Sequence, residues 1–158
     1  MSIDRALGVA SLVAIASLAS GAAAASRLID CRVVRGTIVP ECNGAICNQG
    51  RWTGDLGGRF VSRVTSIYPG QSGWIFTAWT RVELDEHKGR VETIDEGTTP
   101  VANDGGPDLS RSTEVLTLSE ASGPYQDYAG TIVVVGGHQV GMSTPYTGRL
   151  CRRESTLR

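Results

Sequence analysis

WIFTAWTRVEL, residues 74–84, sets Trp74, Phe76, Ala78, Val82 and Leu84 on one face and Thr77, Arg81 and Glu83 on the other. A period of two is the mark of a β-strand with one covered and one wet side. Working outward, six more β-rich runs recur between clusters of Gly, Pro, Asn and Asp: Arg32–Val39, Arg59–Ile67, Gly89–Ile94, Thr113–Leu118, Thr131–Val135 and Tyr146–Cys151. RFVSRVTSI (59–67) divides less cleanly between its faces, and TIVVVGG (131–137) is apolar on both, which predicts a central strand. Helical periodicity is almost absent beyond the first 25 residues.

The connections predict antiparallel pairing. Residues 69–73 (PGQSG) and 85–88 (DEHK) are of hairpin length and too short for helical crossovers. The longest gap, EGTTPVANDGGPDLSRS (96–112), reads as an exposed loop at one end of the sheet. So many strands must remove their edges by closing or stacking. The expectation is an all-β single antiparallel β-barrel of about seven to eight strands, with a β-sandwich as the alternative.

Residues 1–25 carry Asp4 and Arg5, then an alanine-rich apolar run and a small-residue site at Ala23 and Ala25. This pattern predicts a secretory signal peptide cleaved near Ala25. The run is broken by serines and falls short of the roughly 20 residues of a spanning helix, so no membrane span is expected in the mature form. Residues 26–158 then make one domain, secreted or periplasmic. A net charge of −1 and 41% apolar residues describe an ordinary globule. Arginines are scattered among acids without a basic stripe, which argues against nucleic-acid binding. Composition sets no oligomeric state.

Four cysteines in an oxidising compartment predict disulfides, and four allow three connectivities. Asn43-Gly44 is a chain-reversal signal that favours Cys42 with Cys47, leaving Cys31 with Cys151. The other pairing weighed is Cys31 with Cys42 and Cys47 with Cys151. One CxxxxC without a second close pair or a nearby histidine gives no metal site, and the helix start of a redox CxxC is missing.

Catalytic motifs of the GxSxG, HExxH and phosphate-loop kinds are absent from the sequence, and no cofactor is implied. Asp95 in RVETIDEGTT falls on the inner face if Val91 points inward, where a carboxylate can serve as acid or base; otherwise Asp95-Glu96-Gly97 begins a turn. His138 follows a strand end where barrels place binding residues, whereas His87 reads as a solvated turn residue. Glu114 shares a face with Leu116 and Leu118, and the sequence leaves open which face is inside. Asn103, Asp104 and Asp108 are oxygen ligands in type but lack the calcium-loop spacing. Tyr125, Tyr128 and Tyr146 either border a mouth or are turn aromatics.

GDLGGRFVSRVTSI (54–67), RVETIDEGTT (90–99) and GPYQDYAGTIVVVGG (123–137) followed by GRLC (148–151) come in an order that resembles the small antiparallel barrels of the allene oxide cyclase and dirigent type. The resemblance is one of pattern over Gly54–Cys151 and aligns no catalytic residue. It implies an enclosed apolar cavity, which in some relatives guides cyclisation or coupling. The four cysteines depart from the family's usual pattern. The leading expectation is a barrel that binds a small, largely apolar ligand, with Phe60, Trp74, Phe76 and Tyr146 as ligand-binding candidates. The alternatives are a cyclase or isomerase using Asp95 or His138, and a solid-core module acting through surface aromatics such as Trp79.

Overall fold

The computed structural model describes residues 27–41, 48–137 and 141–154. The strands are β1 (Leu28–Pro40), β2 (Gln49–Gly54), β3 (Gly58–Pro69), β4 (Trp74–Leu84), β5 (Arg90–Thr99), β6 (Thr113–Ala121), β7 (Tyr128–Val135) and β8 (Thr144–Arg153). Each pairs antiparallel with the next, and β8 returns to pair with β1 from Leu28↔Arg153 to Ile38↔Thr144. The result is one sheet closed into a ring rather than two stacked sheets.

The alternation of β4 sets the inside of the ring. Phe76, Ala78, Thr80, Val82 and Leu84 are buried, and Glu83 faces water. The undecided split of β3 is resolved by a bulge. Its register against β4 slips between Val64 and Ser66, so that Phe60, Ser62, Val64 and Ile67 pair with the inward Val82, Thr80, Ala78 and Phe76. One extra residue, Thr65, thereby keeps two successive apolar residues on the same face. Val64 and Ile67 are nonetheless 45% and 46% exposed, because β2 pairs with β3 only as far as Val61.

Two expectations about strands are corrected. β7 is flanked on both sides, by β6 and β8, but it is not covered on both faces: Ile132 and Val134 are buried inside and Val135 is exposed outside. β5 does not stop at Ile94 but continues through Asp95, Glu96 and Gly97 to Thr99. The predicted long loop is correspondingly shorter and is tied down by a Val101↔Pro107 bridge and a 3-10 turn at Leu109–Arg111.

The two ends of the ring differ. At the base, where the β2–β3, β4–β5 and β6–β7 turns gather, Leu56, Leu84, Leu150 and Tyr125 belong to the buried cluster. The Tyr125 hydroxyl donates to the Asp55 carbonyl at 2.8 Å, and the Arg32 guanidinium lies over the Tyr125 and Tyr128 rings at 4.3 and 4.5 Å. Burying such side chains contributes about 1.5–3 kcal/mol apiece. The base is a packed plug.

Cys31 and Cys151 form a disulfide across the β1–β8 seam near the base. A register slip between Ile29 and Arg32 places Cys31 in a bulge. Cys42 and Cys47 lie outside the described residues, as does the predicted signal segment at 1–25. A disulfide fits a protein that matures outside the reducing cytoplasm. Among the described residues no helix is long and apolar enough to cross a membrane.

Candidate functional site

The opposite end of the ring is hollow. A cavity of about 140 Å³ lies between β3, β4 and β6, bounded by Phe60, Val64 and Ile67, by Phe76 and Ala78, and by Leu116. Ile38 and Trp52 complete the wall on the β1–β2 side, and Pro107 and Leu109 reach in from the loop before β6. Backbone geometry makes this room. Gly97 pairs with both Phe76 and Glu114, and a Cβ there would sit 2.3 Å from Phe76 Cζ and 2.9 Å from Glu114 Cγ. Without that Cβ, the ring of Phe76 and the side chain of Glu114 converge over bare backbone.

Polar groups are few and grouped. Glu114 faces inward beside Leu116, is 6% exposed and lies on the cavity wall. The Ser112 hydroxyl donates to the Gly136 carbonyl at 3.0 Å and lies 3.4 Å from Glu114 Oε1. Ser62 and Thr80 also line the cavity. Behind them Asp95, 1% exposed, accepts from the Thr80 and Thr93 hydroxyls, both at 2.5 Å, while Thr80 Oγ1 is 3.0 Å from Ser62 Oγ. A chain of hydroxyls thus runs from the wall to a buried carboxylate, the arrangement that makes a buried acid tolerable.

Trp52 is the unusual member of the wall. Its side chain is 1% exposed and packs against Tyr146 with ring centroids 4.7 Å apart, yet its indole Nε1 is buried and has no hydrogen-bond partner among the described residues. Buried indole N–H groups ordinarily find one.

The sequence-derived candidates separate spatially. Phe60 and Phe76 line the cavity, whereas Trp74 pairs with Thr99 at the rim and borders a shallow groove with residues 70–73. Tyr146 lies inside the ring, 3% exposed. Its hydroxyl accepts from the Leu56 N–H at 3.0 Å and donates to the Thr53 carbonyl at 2.9 Å. Burial is the main cause that pushes its phenol up to about 12. Gly36 makes this reach possible, since a Cβ there would lie 2.6 Å from the Tyr146 hydroxyl. His138 lies outside the described residues. His87 is exposed in the β4–β5 turn, and Trp79 sits on the outer face with its Nε1 3.3 Å from Glu92.

The loop over the mouth is braced from within. Thr99 Oγ1 donates to the Asp108 carbonyl, and the Asp108 carboxylate accepts from the Ser110 amide at 3.1 Å and the Arg111 guanidinium at 2.6 Å. The Ser110 hydroxyl first, then Arg111, hold the Asp108 carboxyl below its ordinary range. Asp104 Oδ1 accepts from the Gly106 amide, a local turn bond.

Sequence reasoning missed Trp52, Pro107 and Leu109. Trp52 stands alone among polar and glycine residues in QGRWTG, and the other two come from a segment that reads as loop. The signal that was legible is the parity of Glu114 with Leu116 and Leu118. No protein-family model, curated protein or solved structure matches the chain.

Proposed function

We propose that this protein is a small secreted or periplasmic β-barrel that binds a small, largely apolar molecule in the open end of its interior. The observation that carries the reading is the cavity of about 140 Å³ walled by Phe60, Phe76, Ala78 and Leu116. A dry apolar void of about 150 Å³ is enough to hold benzene. The size therefore favours one ring or a short chain, well below the 300–1,000 Å³ of ordinary drug-sized pockets. Kinship with the allene oxide cyclase and dirigent barrels is proposed with it, on the sequence pattern of Gly54–Cys151 alone.

One observation favours a second reading, acid–base catalysis of the cyclase or isomerase kind. Glu114 stands on the wall itself, with Asp95 one hydroxyl behind Thr80. A carboxylate against an apolar substrate can move a proton at a carbon or oxygen held beside it. Among the described lining residues Glu114 is the single ionisable group, so the reaction would have to run on one acid–base residue.

Titration of the folded protein with toluene, followed by calorimetry, tests the first reading. Saturable binding is expected in the wild type, and its loss in Ala78→Leu, which fills the void from β4. A wild type that takes up no toluene rejects the reading.

A further inference from the structure

β3 has neighbours on both sides only over its first part. β2 pairs with it from Gly58 to Val61, and the last bond from that side runs from the Ser62 amide to the Asn48 carbonyl at 2.7 Å. Beyond that bond, among the described residues, β3 is paired with β4 alone as far as Pro69. Residues 63–69 are exposed one after another, at inward and outward positions alike, where a strand flanked on both sides of a ring would alternate. β2 has six residues and β3 twelve, so the ring keeps an open edge beside the cavity mouth.

Backbone direction makes this edge a template. The Ser62 amide points away from β4, toward the β2 side. Val64 and Ile67 pair with Ala78 and Phe76 in the same phase as Ser62 with Thr80, so their amides and carbonyls turn the same way. Such a row of groups accepts a further strand. An antiparallel strand laid there would continue the line of β2, and its inward side chains would cover Val64 and Ile67, now 45% and 46% exposed. The bulge at Thr65 and the proline at 69 shorten the edge without closing it.

Charge selects the occupant. β3 carries Arg59 and Arg63, both exposed, and no acid. Neither arginine has an ion-pair partner among the described residues. Trp79 stands opposite Arg63, and Glu92, beyond it on the outer face, is already held by Arg81 and Arg90 at 2.9 and 3.2 Å. A second copy pairing β3 with β3 would bring two cationic strands side by side, which like charges disfavour. We infer that the open edge of β3 binds an extended acidic peptide segment of a partner protein by strand addition. Its acidic side chains lie outward beside Arg63, and its apolar side chains lie inward over Val64 and Ile67. This site goes beyond the cavity reading and does not depend on it.

The probes are two capped heptapeptides, one alternating Glu with Val and the other Lys with Val, titrated into ¹⁵N-labelled protein. Amide correlation spectra read binding, and hydrogen exchange reads the edge. The Glu peptide is expected to give saturable shifts along residues 62–69 and to slow exchange at Val64 and Ile67, with the β7 amides unmoved. The Lys peptide should bind about fivefold more weakly, the scale of one exposed ion pair. Arg63→Glu, an exposed change on the outer face, should reverse that order. The inference is overturned if neither peptide binds, if the two bind alike, or if the shifts lie elsewhere. Val64 and Ile67 amides that exchange as slowly as those of β7 in the peptide-free protein would show the edge closed by the chain itself and overturn it too. Protection that grows with protein concentration, with a dimer in sedimentation, would give the edge to a second copy instead. Toluene titration of the same sample reads the cavity independently, so either reading can fail while the other stands.

Discussion

The Tyr146 hydroxyl is bonded on both sides, accepting from Leu56 N–H at 3.0 Å and donating to Thr53 C=O at 2.9 Å, and Gly36 clears its path. Tyr146→Phe should leave the Leu56 amide unpaired and lower stability by about 1–3 kcal/mol, measured as a shift in the urea midpoint at pH 8. The same residue sets an alkaline limit. Its phenol titrates at about 12 in the fold against an ordinary value of 10.0, so the neutral form is the one the fold favours. Its contribution is complete below pH 10 and is lost as pH rises from 10 to 12. Wild-type stability is expected to fall more steeply over that window than that of Tyr146→Phe; parallel curves would refute the assignment. Tyr125, raised by burial, acts in the same direction in both proteins. Gly97 supplies a second residue-scale expectation. A Cβ 2.3 Å from Phe76 Cζ must push the ring into the cavity, so Gly97→Ala should cost about 1–3 kcal/mol and weaken toluene binding, by unfolding and calorimetry respectively.

Among elements, the loop that carries Pro107 and Leu109 over the cavity mouth is held by one short bridge, by local backbone bonds such as that from the Asp108 amide to the Pro100 carbonyl at 2.8 Å, and by side-chain bonds, rather than by a continuous strand ladder. Asp108→Ala removes the acceptor of the Ser110 amide and of Arg111, and hydrogen exchange at Ser110 should accelerate while the β4 amides keep their protection. How far elements were readable follows from the same distinction between regular and local bonding. β4 was legible because five inward positions alternate without exception. β2 was missed because QGRWTG has one large apolar residue among glycine and polar neighbours, and Trp52 is anchored by contacts remote in sequence. The end of β5 was misjudged because Asp95-Glu96-Gly97 has turn chemistry; Thr80 and Thr93 make the acid acceptable inside, and Gly97 is demanded by the Phe76 ring. Both causes lie on neighbouring strands. The bulge at Thr65 likewise rescues a strand whose own pattern was ambiguous. Of the site, Phe60 and Phe76 follow from strand parity alone, but the hollow itself depends on summed side-chain volumes around the ring, which no single run encodes.

At the scale of the whole molecule, every strand but one pair joins neighbours in sequence, and the exception is the closure of β1 on β8. That closure carries the largest loop cost in the fold, because its partners stand at the two ends of the domain. The Cys31–Cys151 disulfide removes the cost by linking the same two strands in the unfolded chain, across 120 residues. In the chain-entropy account a loop of that size is worth about 4–5 kcal/mol, with measured values often smaller. For a urea dependence of about 2 kcal/mol/M, the double variant Cys31→Ser, Cys151→Ser should unfold about 2 M earlier than the oxidised wild type. The loss belongs to the unfolded state, so the folded variant should retain the ring and its cavity. Toluene binding at low temperature without denaturant is therefore expected to persist. An unchanged midpoint would mean that the ladder from Leu28↔Arg153 to Ile38↔Thr144 holds the seam unaided. Loss of binding in a variant that is still folded would instead mean that the bridge shapes the native interior, through the packed base, as far as the mouth.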